Sequence, residues 1–71
     1  MYRREFDIEA LGNSGEYIDA HIVVFYEYAK YEKDTNYGGV FIDDIQCEQD
    51  IDWHALDLNM IEEMCLEHHF D

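Results

Sequence analysis

The chain has 71 residues, of which 18 are Asp or Glu and four are Lys or Arg, and its formal net charge is −14. This charge repels nucleic-acid backbones and anionic membrane surfaces, so we expect neither as a direct partner. Apolar residues make up 48% of the chain, which is too many for ordinary disorder. We therefore predict one acidic domain over residues 1–71, too small for a large substrate cavity.

Two segments in the first half of the chain have the residue patterns of β-strands. In REFDIEA, residues 4–10, apolar and acidic residues alternate, so a strand there would expose Glu5, Asp7 and Glu9 on one face. In EYIDAHIVVFYEYAKY, the central residues 21–28 are rich in β-branched and aromatic side chains, which predicts a strand with two largely apolar faces. The intervening GNSG is a turn signal.

A third strand is predicted for VFIDDIQC, residues 40–47, after the polar loop EKDTNYGG at residues 32–39. Consecutive strands with short links usually pair as neighbours, which favours a three-stranded antiparallel sheet. Beyond it, Asp52 is positioned to cap a short turn over residues 53–56.

The last third of the chain has a helical period. Asn59 followed by Glu62 resembles a capping box, which predicts a helix over residues 59–69. We therefore predict an α+β domain, a β-β-β sheet followed by a C-terminal helix packed on one face. The positions on the expected buried face of this helix are Ile61, Met64, Cys65 and His68.

Four side chains form a candidate zinc set, although their spacing matches no standard pair of zinc ligands. The alternative is that the cysteines are small buried hydrophobes and the last two histidines form a frayed helix end. We favour this alternative and predict no metal and no cofactor. The four candidate ligands are Cys47, His54, Cys65 and His68.

The sequence carries no strong signal for catalysis. Cys47 with His54, and Cys65 with His68, are nominal nucleophile–base pairs that no other motif supports. No nucleophile elbow, phosphate-binding glycine loop or dinucleotide motif is present. The carboxylates are so numerous that no single acid–base pair can be chosen, and we predict that the chain is not an enzyme.

The acidic residues are the strongest functional signal. No Lys or Arg occurs between residues 34 and 71, whereas surfaces selected only for solubility mix both signs. Alternate strand residues repeat at about 6.7 Å, which is comparable with phosphate spacing along a nucleic-acid strand. Such an array can pair with the basic groups of a nucleic-acid-binding groove. The predicted partner-binding residues are Asp43, Asp44, Glu48, Asp50 and Asp52, with Tyr31, Tyr37 and Trp53 as aromatic anchors.

The chain resembles small acidic proteins encoded by bacteriophages. These often run from a strand ending in Y-x-Y, through a polar loop and an I-x-x-I…D-I-D…L segment, into a short acidic helix. The matching pieces are YEY at residues 26–28, IDDI at residues 42–45, DID at residues 50–52, and Leu56. The resemblance covers about the last two-thirds of the chain and implies a phage origin and action in the host cytoplasm. Some such proteins are anti-CRISPR proteins or other DNA-mimic inhibitors.

Two functions follow as hypotheses. The first is an inhibitor that binds a basic host protein, such as a CRISPR effector or nuclease, and competes with its nucleic acid. The second is a phage structural or assembly protein that forms a homodimer or larger oligomer through an exposed sheet edge. A charge that serves solubility alone is a further alternative. The first ten residues lack an apolar core, so we expect no secretory signal peptide.

Overall fold

The computed structural model describes residues 1–32, 34 and 37–69, and for residues 31 and 37 it describes the backbone alone. Three strands are followed by a 3₁₀ turn and an α-helix, which confirms the α+β prediction. The elements are β1 (Tyr2–Leu11), β2 (Tyr17–Glu32), β3 (Tyr37–Cys47), the 3₁₀ turn (Trp53–Ala55) and α1 (Leu58–His68).

The sheet has the order β1-β2-β3, and both strand pairs are antiparallel. The β1–β2 pairing runs without interruption from Tyr2 opposite Tyr26 to Leu11 opposite Tyr17. The predicted GNSG turn closes this hairpin, with the Gly12 N–H donating to the Glu16 carbonyl at 2.7 Å. The simple alternation of REFDIEA therefore predicts a regular strand correctly.

The β2–β3 pairing is less regular. Phe25 lies opposite Asp44 while Tyr26 lies opposite Ile42, so Asp43 is an extra residue that forms a β-bulge. The loop predicted over residues 32–39 is wrong at both ends, because β2 extends to Glu32 and β3 begins at Tyr37. Positive φ angles, 133° at Gly38 and 99° at Gly39, show why glycines occupy the start of β3.

The segment after β3 crosses to the far end of β1. Gly12 and Ile51 form an isolated antiparallel bridge, and the Asp52 N–H donates to the Leu11 carbonyl at 2.8 Å. Ile51 is buried there against Ala10 and Ala20 in a small second core. The Asp52 carboxylate accepts a hydrogen bond from the His54 N–H at 3.0 Å, which confirms the predicted cap.

Helix α1 covers one face of the sheet. Ile61 and Cys65 are fully buried against Ile22, Val24 and Tyr26, as the helical period predicts. Of the other two positions predicted for this face, Met64 is half-buried, whereas the prediction for His68 is wrong because that residue is exposed near the end of the helix. Burying an isoleucine stabilises the fold by about 1.5–3 kcal/mol, so this layer supplies much of the stability of the domain. Within the described ranges, no helix has the length and apolar character needed to cross a membrane.

The predicted capping box of α1 is wrong. Asp57 caps the helix, and its carboxylate accepts a hydrogen bond from the Met60 N–H at 3.2 Å. Asn59 already lies inside the first turn, where its side chain cannot act as the N-cap. An ionised carboxylate at Asp57 also suits the positive end of the helix dipole, which an amide serves less well.

The end of α1 is held by aromatic side chains rather than frayed. The His69 ring stacks on Tyr28 with ring centroids 4.2 Å apart and meets Tyr2 edge-on at 4.6 Å. Its Nδ1 lies 3.0 Å from the buried Tyr26 hydroxyl. This contact gives the hydroxyl a polar partner inside the core.

Candidate functional site

The face of the sheet opposite α1 has a different character, and we call it the open face. We define it as the odd-numbered residues 3–9 of β1 and 19–27 of β2, the residues of β3 that pair with them, and the bulge residue Asp43. Acidic side chains dominate this surface, and an apolar strip lies at its centre. Its members are Arg3, Glu5, Asp7, Glu9, Asp19, His21, Val23, Phe25, Glu27, Phe41, Asp43, Asp44 and Gln46.

The carboxylates of the open face are held at the spacings of a β-sheet. Neighbours along a strand are about 6.7 Å apart, and neighbours on adjacent strands are about 4.8 Å apart. Glu9 lies directly opposite Asp19. Like charges in that position destabilise a sheet, so the fold tolerates repulsion at this surface.

Among the described residues, three groups that can carry positive charge contact this array. The Arg3 guanidinium lies 3.1 Å from the Glu5 carboxylate, and the Met1 amino group lies 3.3 Å from Glu27. The third is the His21 ring, described next. In the part of the chain that the structure describes, no cationic partner contacts the following carboxylates: Glu9, Asp19, Asp43, Asp44 and Glu48.

His21 lies between two carboxylates of β1. Its Nδ1 is 2.7 Å from an Asp7 oxygen, and its Nε2 is 2.9 Å from a Glu5 oxygen. A neutral imidazole can donate only one of these hydrogen bonds, whereas the imidazolium donates both. Accordingly, the hydrogen bonds to Glu5 and then Asp7 raise the pKa of His21 above its ordinary value of 6.5. The bond from His21, followed by the contact with Arg3, lowers the pKa of Glu5 below 4.5.

An apolar strip crosses the open face between the acidic groups. Val23 and Phe25 on β2 are half-buried, and Phe41 on β3 is 42% exposed. Phe25 lies between Arg3 and Asp44 on the two neighbouring strands. An apolar centre inside a charged rim is the usual arrangement of a protein interface.

The structure places three of the predicted partner-binding acids on or beside the open face. Asp43 and Asp44 are exposed at the bulge of β3. Glu48 follows β3 and lines a shallow depression together with Glu5 and His21. These acids extend the array of β1 and β2 across the whole width of the sheet.

The other predicted partner-binding residues lie elsewhere or outside the described side chains. Asp50 accepts a hydrogen bond from the Asn13 side chain at the hairpin turn, and Asp52 caps the 3₁₀ turn. Trp53 is 47% exposed in that turn, near the far end of β1. The side chains of Tyr31 and Tyr37 lie outside the described part of the chain. The predicted patch is therefore divided between two places, with Asp50 and Asp52 engaged in local structure.

The open-face residues that were not predicted from the sequence include the polar residues Asp19, His21 and Glu27 and the apolar strip of Val23, Phe25 and Phe41. The prediction treated the centre of β2 as apolar on both faces, whereas polar side chains occupy alternate positions at each end of that segment. The alternation that identifies β1 also runs from residue 19 through residue 27, and it could have identified the open face of β2.

The candidate metal ligands and nucleophiles, Cys47, His54, Cys65 and His68, all lie within the described residues. Across the described ranges, no group of three or more His, Cys, Asp or Glu side chains is arranged to hold a metal ion. Burial raises the pKa of the Cys65 thiol, which opposes formation of a nucleophilic thiolate. The half-buried Cys47 thiol donates to the Gln49 side-chain oxygen at 3.4 Å.

Comparison with known proteins gives no further guide to function. No protein-family model, no curated protein and no solved structure matches this chain. The resemblance to small phage proteins therefore stays a prediction.

Proposed function

We propose that this chain is a non-enzymatic inhibitor of the phage type, which binds a basic nucleic-acid-handling protein of the host and competes with its nucleic acid. The observation that carries the proposal is the open face, where carboxylates from three strands surround the apolar strip. Rigid strands hold these charges in place, so little entropy is lost when a partner binds them.

The charge density of the domain supports this proposal. The principal extents are 45 × 20 × 17 Å, so the molecule is a short rod. A net charge of −14 over 45 Å is one charge per about 3.2 Å, close to the roughly 3.4 Å per phosphate of one DNA strand. A groove lined with Lys and Arg would therefore encounter a field similar to that of its natural ligand.

The chemistry of the open face suits such a groove. Carboxylates accept charge-assisted hydrogen bonds from Arg and Lys, as phosphates do. Glu9, Asp19, Asp43 and Asp44 have no cationic partner among the described residues, so a partner displaces no internal ion pair to reach them. A CRISPR effector or another nuclease in the host cytoplasm is the class of target that this chemistry fits.

A second candidate is an assembly protein that forms homo-oligomers. It would need a continuous apolar surface, and α1 exposes Leu58, Met60 and Leu66 by 53%, 39% and 44%. At about 100° per residue these side chains point in three different directions around the helix. They form no single apolar stripe, so the helix supports assembly less well than the open face supports binding of a basic protein.

The test is capture of host proteins from a bacterial lysate at low salt, followed by elution with duplex DNA. The proposal expects a discrete nucleic-acid-binding protein in the DNA eluate. Asp43→Asn/Asp44→Asn/Glu48→Gln should weaken capture at least tenfold and reduce its salt dependence, because three contacts are lost. The matched control is Glu62→Gln/Glu63→Gln/Glu67→Gln, which removes the same charge from α1.

The two triple variants separate the alternatives. Equal loss in both would show that net charge, not the open face, determines binding. A nonspecific mixture of basic proteins, eluted identically from every variant, would favour solubility as the role of the charge. Light scattering that shows oligomers growing with added salt would favour assembly.

A further inference from the structure

The hydrogen-bond pattern of the β1–β2 hairpin determines which backbone groups of β1 face outward. Gly12 donates to Glu16 at 2.7 Å, so these opposed residues form a hydrogen-bonded pair. Such pairs alternate along an antiparallel ladder, so the even-numbered residues of β1 bond to β2. The N–H and C=O groups of Glu5, Asp7 and Glu9 therefore point away from β2.

These outward groups form a free edge. β1 is the first strand in the sheet order, so its outer side has no neighbouring strand. At its far end the Leu11 carbonyl already accepts the Asp52 N–H. For Glu5, Asp7 and Glu9, no backbone partner beyond β2 is found within the described residues. An edge of this kind is a template for another strand.

The other edge of the sheet is protected, whereas the β1 edge is regular. β3 contains the bulge at Asp43 and begins with two glycines at positive φ. Both features disturb the straight row of groups that a new strand requires. The pairing of β1 is unbroken over all ten of its residues.

The same residues that offer free backbone groups also carry the acids. A strand added beside β1 would place alternate side chains about 4.5–5.5 Å from Glu5, Asp7 and Glu9. A second copy that paired its own β1 antiparallel about Asp7 would oppose Glu5 to Glu9 and Asp7 to Asp7, which is unfavourable. An incoming segment with Lys or Arg at every second position would meet Glu9 and would share Glu5 and Asp7 with Arg3 and His21.

We propose that the free edge of β1 binds an extended basic segment of the partner, which adds a fourth strand to the sheet. The proposal builds on the proposed function, since it specifies how the basic partner is held. Backbone hydrogen bonds from the edge supply affinity, and the alternating acids select the sequence. The side chains between the basic ones would lie beside half-buried Phe6 and Ile8, so small apolar residues fit there.

A synthetic peptide tests this mode of binding without knowledge of the target. The probe is a peptide of about seven residues in which Lys and Val alternate, titrated into the ¹⁵N-labelled protein at low salt. We expect amide shifts and slowed hydrogen exchange at Glu5, Asp7 and Glu9. The control is the same peptide N-methylated at the alternate residues whose N–H groups would face β1. Methylation keeps the charge of the peptide but removes these hydrogen-bond donors. We expect at least tenfold weaker binding of this control.

A pair of protein variants tests the same edge from the other side. Asp7→Pro removes an N–H that faces away from β2, so the β1–β2 ladder keeps its hydrogen bonds. Asp7→Ala removes the same charge and keeps that N–H. We expect peptide binding to be at least fivefold weaker in Asp7→Pro than in Asp7→Ala. Should Asp7→Pro unfold, the methylated peptide still decides the question, since it leaves the protein unchanged.

The outcomes distinguish this proposal from the function on which it builds. Equal, salt-sensitive binding of both peptides would overturn strand addition and leave electrostatic capture by the open face standing. Shifts confined to Asp43 and Asp44 would also overturn it, because they place the peptide at the opposite edge. No binding of either peptide at low salt would count against both proposals.

Discussion

The two faces of the sheet consist of alternate residues of the same three strands, yet their chemistry is opposite. On the covered face, Ile22, Val24 and Tyr26 are buried under α1. On the open face, the intervening positions of β2 are His21, Val23, Phe25 and Glu27, which remain partly or fully exposed. Successive side chains of a strand point to opposite faces of the sheet. One face can therefore provide stability while the other carries many charges at the expense of stability. The stability of the covered face and the charge of the open face are therefore separable by mutation.

The largest expected difference between the faces is in the cost of removing an apolar side chain. Ile61→Ala leaves a cavity under the covered face and should lower the free energy of unfolding by about 2–5 kcal/mol. Phe41→Ala on the open face should lower it by less than about 1 kcal/mol, since Phe41 is 42% exposed. Urea titration followed by circular dichroism gives both values. Similar losses would mean that the open face contributes to the core.

The next effect concerns the attachment of α1 to the covered face. Asp57→Ala removes the N-cap and should cost about 1 kcal/mol, equivalent to a fall in Tm of roughly 4–8 °C. Asn59→Ala is the matched control, and it should leave Tm within about 2 °C because Asn59 is already helical. If Asn59→Ala is the more damaging change, the capping box predicted from sequence is correct after all.

The two faces were not equally predictable from the sequence. Strict alternation in residues 4–10 determined both the strand and its acidic side, and the helical spacing of Ile61 and Cys65 located the covered face. The bulge at Asp43 could not be predicted, because IDDI is equally compatible with a regular strand. The division of the acidic run between two places could not be predicted either. Hydrogen bonds with residues distant in sequence hold Asp50 and Asp52 at the far end of β1.

A smaller effect, an increase in stability, is expected from mutating an acid that lies opposite another acid on the open face. Glu9→Gln relieves the repulsion with Asp19 and should raise the free energy of unfolding by about 0.2–1 kcal/mol at low salt. Added salt should reduce this gain, because it screens exposed charges. Glu62→Gln on α1 removes an equal charge at a position with no acid three or four residues away on the helix, so it should give a smaller gain. Thermal melts at two salt concentrations provide the comparison, and a larger gain from Glu62→Gln would contradict it.

The smallest effect is the pH dependence contributed by His21. Folding raises its pKa above 6.5, so its stabilising contribution is complete below that pH and is lost as pH rises through the folded pKa. Glu5 has a lowered pKa, so its contribution is present above 4.5 and is lost as pH falls through the folded value. The contacts of His21 should therefore stabilise the fold most between pH 4.5 and 6.5.

Thermal melts of the wild type and His21→Gln over this range and up to about pH 8.5 test that window. The Tm difference should be greatest below pH 6.5 and should shrink towards the alkaline end. The repulsion among the other carboxylates changes with pH in both proteins, so it largely cancels in the difference. A difference between wild type and His21→Gln that grows with pH would show that neutral His21, not the imidazolium, joins Glu5 and Asp7 across the open face.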